Sequence, residues 1–140
     1  MKVEDFELIH ELTEEQIQQL LALYQNEWWT KGRNLKDVQR MLQFTDFIFV
    51  LCEKESRRLA AFARVLSDRV YKVLIFDVIV APEHRNLKLG KKLMDEILNH
   101  SELKNVRHVE LYCLPELVKF YERWGFTNDL GKVIFMRKSA

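Results

Sequence analysis

The fold of this chain is most clearly predicted by residues 78–93, Val-Ile-Val-Ala-Pro-Glu-His-Arg-Asn-Leu-Lys-Leu-Gly-Lys-Lys-Leu. They begin within an apolar, β-rich run, residues 70–80, that predicts the central strand of a sheet. Pro82 ends the strand because proline has no N–H to give to a ladder. Leucine and isoleucine then recur at helical spacing and predict a helix from about 87 to 100. The stretch is therefore a strand, a short loop and a helix.

Outside this unit, changes in the apolar period mark further helices and strands. Before it we expect an edge strand at 3–10, helices over 13–28 and 35–42, and strands at 46–52 and 59–66. After it we expect a strand at 106–113, a helix over 115–124 and a last strand at 133–137. This order favours an α/β fold with a mixed sheet flanked by helices. Only four glycines and two prolines are present, so we expect a single domain over residues 1–140.

The composition argues against several classes of protein. There are 22 basic and 21 acidic residues, a balance without the clustered positive field of a nucleic-acid-binding protein. No apolar run approaches the roughly 18 residues of a membrane span, and the acidic N-terminus is unlike a signal peptide. We therefore expect a cytoplasmic protein. Cys52 and Cys113 are isolated and are expected to be buried free thiols, and no His/Cys cluster has the spacing of a metal site.

The loop and first helical turn over residues 85–91 have the chemistry of an anion site. A helix N-terminus presents unpaired N–H groups and a partial positive charge, which suit a phosphate or pyrophosphate. Four cationic side chains add to this charge: Arg85, Lys88, Lys91 and Lys92. Taken alone, the same pattern is also compatible with a plain strand-to-helix turn that has a solvated basic face.

The same segment resembles the acetyl-CoA signature of the Gcn5-related N-acetyltransferase (GNAT) superfamily, a strand followed by Gln/Arg-x-x-Gly-x-Gly/Ala and a helix. Arg85 takes the first position and Gly90 the last, while Lys88 stands where the central glycine is usual. Residues 119–126, Lys-Phe-Tyr-Glu-Arg-Trp-Gly-Phe, are similar to the F-Y-x-x-x-G-F run of the family's last helix. The resemblance covers essentially the whole chain. It implies a central, mixed, mostly antiparallel sheet of six to seven strands flanked by about four helices.

The resemblance also implies an activity and a set of site residues. It implies transfer of an acetyl group from acetyl-CoA to a primary amine of a small molecule or peptide, by direct attack in a ternary complex. Tyr121 matches the family's acid, and Trp28 and Trp29 fall where relatives form the acceptor pocket, one of them expected in the core. The expected acetyl-CoA contacts are Ile79, Val80, Arg85, Asn86, Leu87, Lys88, Leu89, Gly90 and Lys91.

The general base stays open at this point. Relatives place it on the central strand at positions that match Leu74 and Phe76, and both are apolar here. Strand alternation predicts that Asp77 faces the other way and anchors neighbouring structure. The base is then water, a chain of waters, or a residue from elsewhere such as Glu27 or Asp46.

Other hypotheses about the function of the chain also stay open. The missing strand carboxylate keeps a non-catalytic acyl-CoA-binding sensor or interaction module as the alternative function, and a purely structural interaction protein is a third. His84 and His108 are expected at the surface. Many relatives dimerise, so the resemblance also allows a homodimer.

Overall fold

The predicted central strand is the fourth of five strands in the computed structural model, which describes residues 1–140. The strands are β1 Phe6–Ile9, β2 Phe47–Glu53, β3 Leu59–Ser67, β4 Lys72–Val80 and β5 His108–Glu110. They lie in the order β1-β2-β3-β4-β5. The pairs β1–β2, β2–β3 and β3–β4 are antiparallel, so the sheet is mostly antiparallel, as predicted.

Four α-helices accompany the sheet, in agreement with the number of about four that the family resemblance implied. They are α1 Glu14–Gln25, α2 Leu35–Gln43, α3 Leu89–Asn99 and α4 Val118–Glu122. Thr13 begins α1 as predicted: its Oγ1 accepts from the Gln16 N–H at 3.1 Å, and Gln16 Oε1 accepts from the Thr13 N–H at 3.0 Å. This reciprocal pair is a capping box, which satisfies two of the N–H groups that a helix start leaves unpaired.

Helices α1 and α2 pack on one face of the sheet. Their apolar stripe meets the side chains that β2, β3 and β4 direct to that face. Each fully buried Val, Leu, Ile or Phe side chain stabilises the fold by roughly 1.5–3 kcal/mol relative to exposure. This core consists of Leu20, Leu23, Tyr24, Val38, Val50, Leu59, Phe62, Ile79 and Ala81.

The chain divides into two compact units, Met1–Val109 and Glu110–Ala140. The first holds β1 to β4 and α1 to α3, and the second holds α4. In the second unit Pro115 opens a 3-10 turn, Pro115–Leu117, that leads into α4, in keeping with its expected place at the first turn of a helix. That residues 1–140 form one domain stays a prediction. No helix is both long and apolar enough to cross a bilayer.

The predicted six to seven strands are too many. Residues 133–137 form no strand, and the side chains of Val133, Ile134, Phe135 and Met136 are 69–84% exposed. Their high β propensity does not produce a strand here, because β propensity depends on packing against neighbouring strands. The strand predicted at 106–113 is shortened to His108–Glu110. Both cysteines are free, as predicted, but only Cys52 is buried; Cys113 lies beyond the shortened strand and is exposed.

Candidate active site

Strand β4 contains a β-bulge at Asp77, close to its C-terminal end. In the β3–β4 ladder Phe62 pairs with Ile79 and Arg64 pairs with Phe76, so β4 has one residue more than β3 between these pairs. Asp77 takes up the extra length with a φ of 56°, a left-handed conformation that Asp tolerates better than most residues. Bulges bend a strand and re-aim its side chains.

The Asp77 carboxylate is the centre of a buried polar cluster. Its Oδ2 accepts hydrogen bonds from Arg33 Nη1 and Arg64 Nε, each at 2.7 Å, and from the Tyr24 hydroxyl at 3.0 Å. The Asp77 side chain is only 5% exposed. We call Tyr24, Arg33, Arg64 and Asp77 the Asp77 cluster. The prediction that Asp77 anchors neighbouring structure is confirmed, because these partners come from α1, from the loop that follows α1, and from β3.

Strand alternation, however, does not separate Asp77 from Phe76. The Arg64 guanidinium that bonds Asp77 also lies over the Phe76 ring, 4.8 Å from its centroid. Both side chains therefore reach the same group, which an uninterrupted strand would not allow for adjacent residues. The bulge is the reason, and its left-handed residue gave no signal in the apolar pattern.

The electrostatics of the cluster weaken Asp77 as a base. Burial by itself would raise the pKa of Asp77, but the hydrogen bonds and charges of Arg33 and Arg64 hold that pKa below its ordinary value. Burial and the neighbouring Asp77 charge raise the pKa of Tyr24 well above its ordinary value. At neutral pH the cluster therefore holds an ionised carboxylate and a neutral phenol. A carboxylate with a lowered pKa accepts a proton from an amine less readily.

The segment between β4 and α3 is shaped by two further left-handed residues. After a 3-10 turn at Pro82–His84, Asn86 has a φ of 68° and Lys88 a φ of 61°. Lys88 thus adopts the conformation that glycine provides most easily at this position. Lys88 is the residue just before α3, which begins at Leu89, two residues later than predicted. No side chain caps α3, so its first N–H groups are not occupied by a capping residue.

An open cleft lies against this helix start. It has a volume of about 620 Å³. Lys91 and Lys92 pair with Asp95 and Glu96 one turn along the helix, each at 2.7 Å. The residues that line the cleft are Lys2, Val3, Glu4, Asn86, Leu87, Lys88, Lys91, Lys92 and Asp95. A cleft with unpaired N–H groups and four lysines has the chemistry to bind a pyrophosphate.

The predicted cofactor residues fall into two groups. Asn86, Leu87, Lys88 and Lys91 line the cleft, and Leu89 and Gly90 form the first turn of α3 behind them. The side chain of Leu89 is buried, so only its main chain is available to a ligand.

Arg85 belongs with the end of β4. Its Nε lies 3.4 Å from the Val80 carbonyl oxygen and its Nη2 lies 3.4 Å from Glu27 Oε1. Arg85 therefore lies beside Ile79 and Val80 and is absent from the lining of the cleft. The predicted cofactor set thus has a β4 part and a cleft part.

His84 is buried, which corrects the expectation of a surface histidine. Its Nε2 lies 2.6 Å from Glu53 Oε2, and its ring meets the edge of Phe6 with centroids 5.4 Å apart. The 3-10 turn after β4 directs the imidazole towards β1 and the end of β2, a fold-back that a lone histidine in a sequence does not reveal. Its Nδ1 is buried without a partner. His108 is exposed, as expected.

Trp28 and Trp29 lie on the loop between α1 and α2, residues 26–33, which we call the tryptophan loop. Both side chains are exposed, by 73% and 40%, so the expectation that one lies in the core is wrong. The reason is that α1 ends at Gln25, before the tryptophans, and helical spacing no longer applies to them.

Hydrogen bonds within its own neighbourhood fix the course of the tryptophan loop. The buried Thr30 donates its hydroxyl to the Tyr24 carbonyl oxygen at 2.8 Å. Gln25 bonds both the Arg33 carbonyl oxygen and the Gly32 N–H, at 2.8 and 3.1 Å. Gly32 has a φ of 96°, which favours glycine at this position.

The two open base candidates lie in different places. Glu27 is in the tryptophan loop and pairs with Arg85 beside Val80. Asp46 caps the other end of β3, where its Oδ2 accepts from the Ser67 N–H at 2.9 Å. Ser67 lies five residues along β3 from Phe62, the partner of Ile79, which is roughly 17 Å along a strand. Of the two, Glu27 is the one next to the end of β4.

Tyr121 lies in the second unit, on α4. It is buried, and burial followed by the charge of Cys113 raises the pKa of its phenol to about 12. Its ring packs edge-on against Phe120 and Phe126, with centroids 5.0 and 5.9 Å apart. At neutral pH the hydroxyl is therefore protonated, the form that a proton donor needs.

Comparison with known proteins gives a consistent result. The model of the Acetyltransferase (GNAT) family matches residues 9–126. The Arabidopsis thaliana protein "GCN5-related N-acetyltransferase 1, chloroplastic" is 31% identical over 109 residues, which are 76% of this chain and 55% of that protein. The uncharacterised N-acetyltransferase ycf52 of Porphyra purpurea is 33% identical over 103 residues, 72% of this chain and 59% of that protein. This chain thus spans a little over half the length of these two relatives.

A solved structure shows the same fold. A protein from Xanthomonas campestris pv. campestris, described as belonging to the GNAT family, superposes with a TM-score of 0.79 at 29% identity. The superposition covers 96% of this chain and 94% of that one. The family match over most of the chain and the fold shared with this structure agree with each other. This chain belongs to the GNAT acetyltransferase family.

Proposed function

We propose that this chain is an acetyl-CoA-dependent N-acetyltransferase that acylates a primary amine of a small molecule or peptide by direct attack in a ternary complex. The observation that supports this most strongly is the start of α3. Left-handed residues at 86 and 88 bring an uncapped helix N-terminus to an open cleft lined with lysines. A merely structural turn would be expected to cap that helix with its own side chains.

The residues present fit the parts of acetyl-CoA. The first N–H groups of α3, with Lys88 and Lys91, suit the pyrophosphate. The main chain of Ile79 and Val80, beyond the bulge, suits the pantetheine arm and the acetyl carbonyl. Acetyl-CoA supplies a thioester whose acetyl group passes to an amine with release of the CoA thiol.

Two proton movements accompany such a transfer. A primary alkyl amine has a pKa near ~10.4, so only about one in a thousand is neutral at pH 7 and its proton must leave. In our proposal this proton goes to water or through water to Glu27, which lies beside the end of β4. Tyr121 gives its proton to the CoA sulfur and regains one from solvent. Asp77 takes no proton, because its arginine partners lower its pKa.

The alternative function is a non-catalytic acyl-CoA-binding sensor. One observation favours it: the only carboxylate on β4 beside the bulge is Asp77, and its Oδ2 is fully engaged by three donors. The tryptophan loop favours the enzyme over the sensor, because the exposed Trp28 and Trp29 offer an acceptor surface that a sensor does not require. The cytoplasmic location and the homodimer stay predictions.

Thermal melting with and without acetyl-CoA, followed by an assay for free CoA thiol across a panel of amines, tests the proposal. Binding to the native state raises the melting temperature, and turnover releases thiol in step with the amine supplied. A melting shift without thiol release from any amine favours the sensor. The absence of both results contradicts acyl-CoA binding itself.

A further inference from the structure

The Asp77 cluster has no assigned role in the proposed chemistry, although it lies two residues before Ile79. It joins three pieces of the molecule at one oxygen: α1 through Tyr24, the tryptophan loop through Arg33, and the β3–β4 ladder through Arg64. Such a convergence of donors on a buried carboxylate fixes the geometry of every group that takes part.

Of the two ion pairs made by the tryptophan loop, Arg33 with Asp77 is the shorter and the more buried: it measures 2.7 Å, and the two side chains are 31% and 5% exposed. The contacts of Thr30 and Gln25 hold the loop to itself and to the end of α1. Its other ion pair, Glu27 with Arg85, is longer at 3.4 Å, and the Arg85 side chain is 55% exposed. Exposed pairs of this kind contribute little and are screened by salt. The Arg33–Asp77 contact is therefore the one that sets where the loop lies along β4.

The geometry also ties the loop to the bulge. Asp77 keeps its left-handed φ of 56° only while the surroundings hold it there, because this region is unfavourable for a residue with a side chain. Arg33 stacks on the Tyr24 ring, with 4.6 Å between its guanidinium carbon and the centroid. The guanidinium thus contacts both a ring of α1 and a carboxylate of β4. A shift of the loop would move the bulge, and a relaxed bulge would move the loop.

We propose that Asp77 is a positioning residue that, through Arg33, holds the tryptophan loop against the acetyl-binding end of β4 and so places Trp28 and Trp29 to bind the acceptor amine. The acceptor part of this inference rests on the proposed function. It assigns to Asp77 a role in the acceptor Michaelis constant and none in proton transfer. It also assigns the loop's position to a contact that the acetyl-CoA cleft does not share.

Tryptophan fluorescence tests the structural part without any need for activity. The chain has three tryptophans, so in a Trp124→Phe background only Trp28 and Trp29 report. Asp77→Asn keeps the size of the side chain and a residue that tolerates the left-handed region, but removes the charge. We expect acrylamide quenching of the two loop tryptophans to increase. The matched control is Glu7→Gln, which removes the carboxylate of a surface ion pair with Arg57 and should leave quenching unchanged.

Kinetics test the acceptor part and separate positioning from base catalysis. For Asp77→Asn we expect the acceptor KM to rise by about tenfold or more, with kcat at saturating acceptor within about threefold and the acetyl-CoA Kd within about twofold of wild type. The ionisable or charged partners of Asp77 are Tyr24, Arg33 and Arg64, so the KM defect should persist at high pH. A fall in kcat that recovers as the pH rises towards the pKa of the amine would instead identify Asp77 as the base and overturn the proposal.

Arg33 variants keep the inference testable if Asp77→Asn fails to fold. Arg33→Met leaves Asp77 paired with Arg64 and Tyr24, and should reproduce both the raised acceptor KM and the increased quenching. Arg33→Lys keeps the charge and should restore part of each. Unchanged quenching and unchanged acceptor KM in Arg33→Met would contradict the proposal. If wild type acetylates no amine, the proposed function fails, and the quenching experiment still decides whether Asp77 holds the loop.

Discussion

His84 Nε2 lies 2.6 Å from Glu53 Oε2, and this contact ties the turn before the proposed acetyl-CoA segment, residues 85–91, to the end of β2. His84 directly precedes Arg85, so the pair sets where the 85–91 segment leaves the sheet. The hydrogen bond from His84 is also the main cause of the lowered pKa of Glu53. The contact thus connects the sheet to the proposed cofactor site through one buried side chain.

Replacing Glu53 by Gln should weaken this anchor and with it acetyl-CoA binding. The imidazole would keep a hydrogen-bond partner but lose the charged one, and charge-assisted bonds are about twice as strong as neutral ones. We expect the acetyl-CoA Kd, measured by calorimetry, to rise by roughly threefold to tenfold. Glu55→Gln, an exposed residue of the same hairpin turn, is the control. Equal Kd values for the two variants would show that the anchor is unimportant for binding.

The Asp77 cluster should give the protein a distinct loss of stability in acid. Because the pKa of Asp77 is lowered on folding, its contribution is fully present above its ordinary pKa of about 3.8 and is lost as the pH falls through the lower folded value. The difference in unfolding free energy between wild type and Asp77→Asn should therefore be constant from pH 7 to about 5. It should shrink as the pH falls below 4. A difference that grows in acid would have the wrong sign for a carboxylate stabilised by arginines.

Two variants at Lys88 separate the effect of the backbone conformation from the effect of the side-chain charge. Its left-handed φ of 61° costs a residue with a side chain about 1–2 kcal/mol relative to glycine, while glycine loses more entropy on folding. We expect Lys88→Gly to be more stable than Lys88→Ala by about 1 kcal/mol in chemical denaturation. Both variants remove the same single charge, and we expect its loss to change the acetyl-CoA Kd by less than about tenfold in each. Equal stability of the two variants would argue against a left-handed residue at this position.

Tyr121→Phe tests the proposed acid. The phenol has a pKa of about 12, so it is protonated across the physiological range and its loss should lower kcat without any new pH dependence near neutrality. General acids contribute typically 10²–10⁴-fold, and we expect a fall of at least about a hundredfold, with the acetyl-CoA Kd unchanged. Phe120→Leu, a change to the neighbouring ring, controls for packing. A variant with full kcat would show that the leaving thiol needs no acid from Tyr121.

Much of the fold could be predicted from local signals. The capping box at Thr13 and Gln16 is readable because both partners lie within one helical turn. The strand–loop–helix over 78–93 is readable because Pro82 ends one apolar period before another begins. The strand predicted at 133–137 was wrong for the opposite reason. A segment of high β propensity forms a strand only beside a neighbouring strand, and local sequence does not show whether one is present.

The residues that line the cleft could be named from a local family motif, whereas those of the Asp77 cluster could not, because they depend on long-range contacts. Asn86, Leu87, Lys88 and Lys91, which the family motif names, line one cleft together. The partnership of Arg33 with Asp77 spans 44 positions and depends on a bulge that strand alternation conceals. His84 was missed in the same way, since its burial follows from the direction of a 3-10 turn. Two arginines and a tyrosine far apart in the chain gave no sign that they share one carboxylate.

The proposed transfer of acetyl groups to amines can be followed in one experiment. The most direct test is to incubate the protein with isotopically labelled acetyl-CoA and a panel of small and peptide amines, and to identify acetylated products by mass spectrometry. We expect a labelled N-acetyl product in amounts that far exceed the enzyme and that fall sharply with Tyr121→Phe. Saturable acetyl-CoA binding with no labelled product from any amine would show that the chain does not transfer the acetyl group.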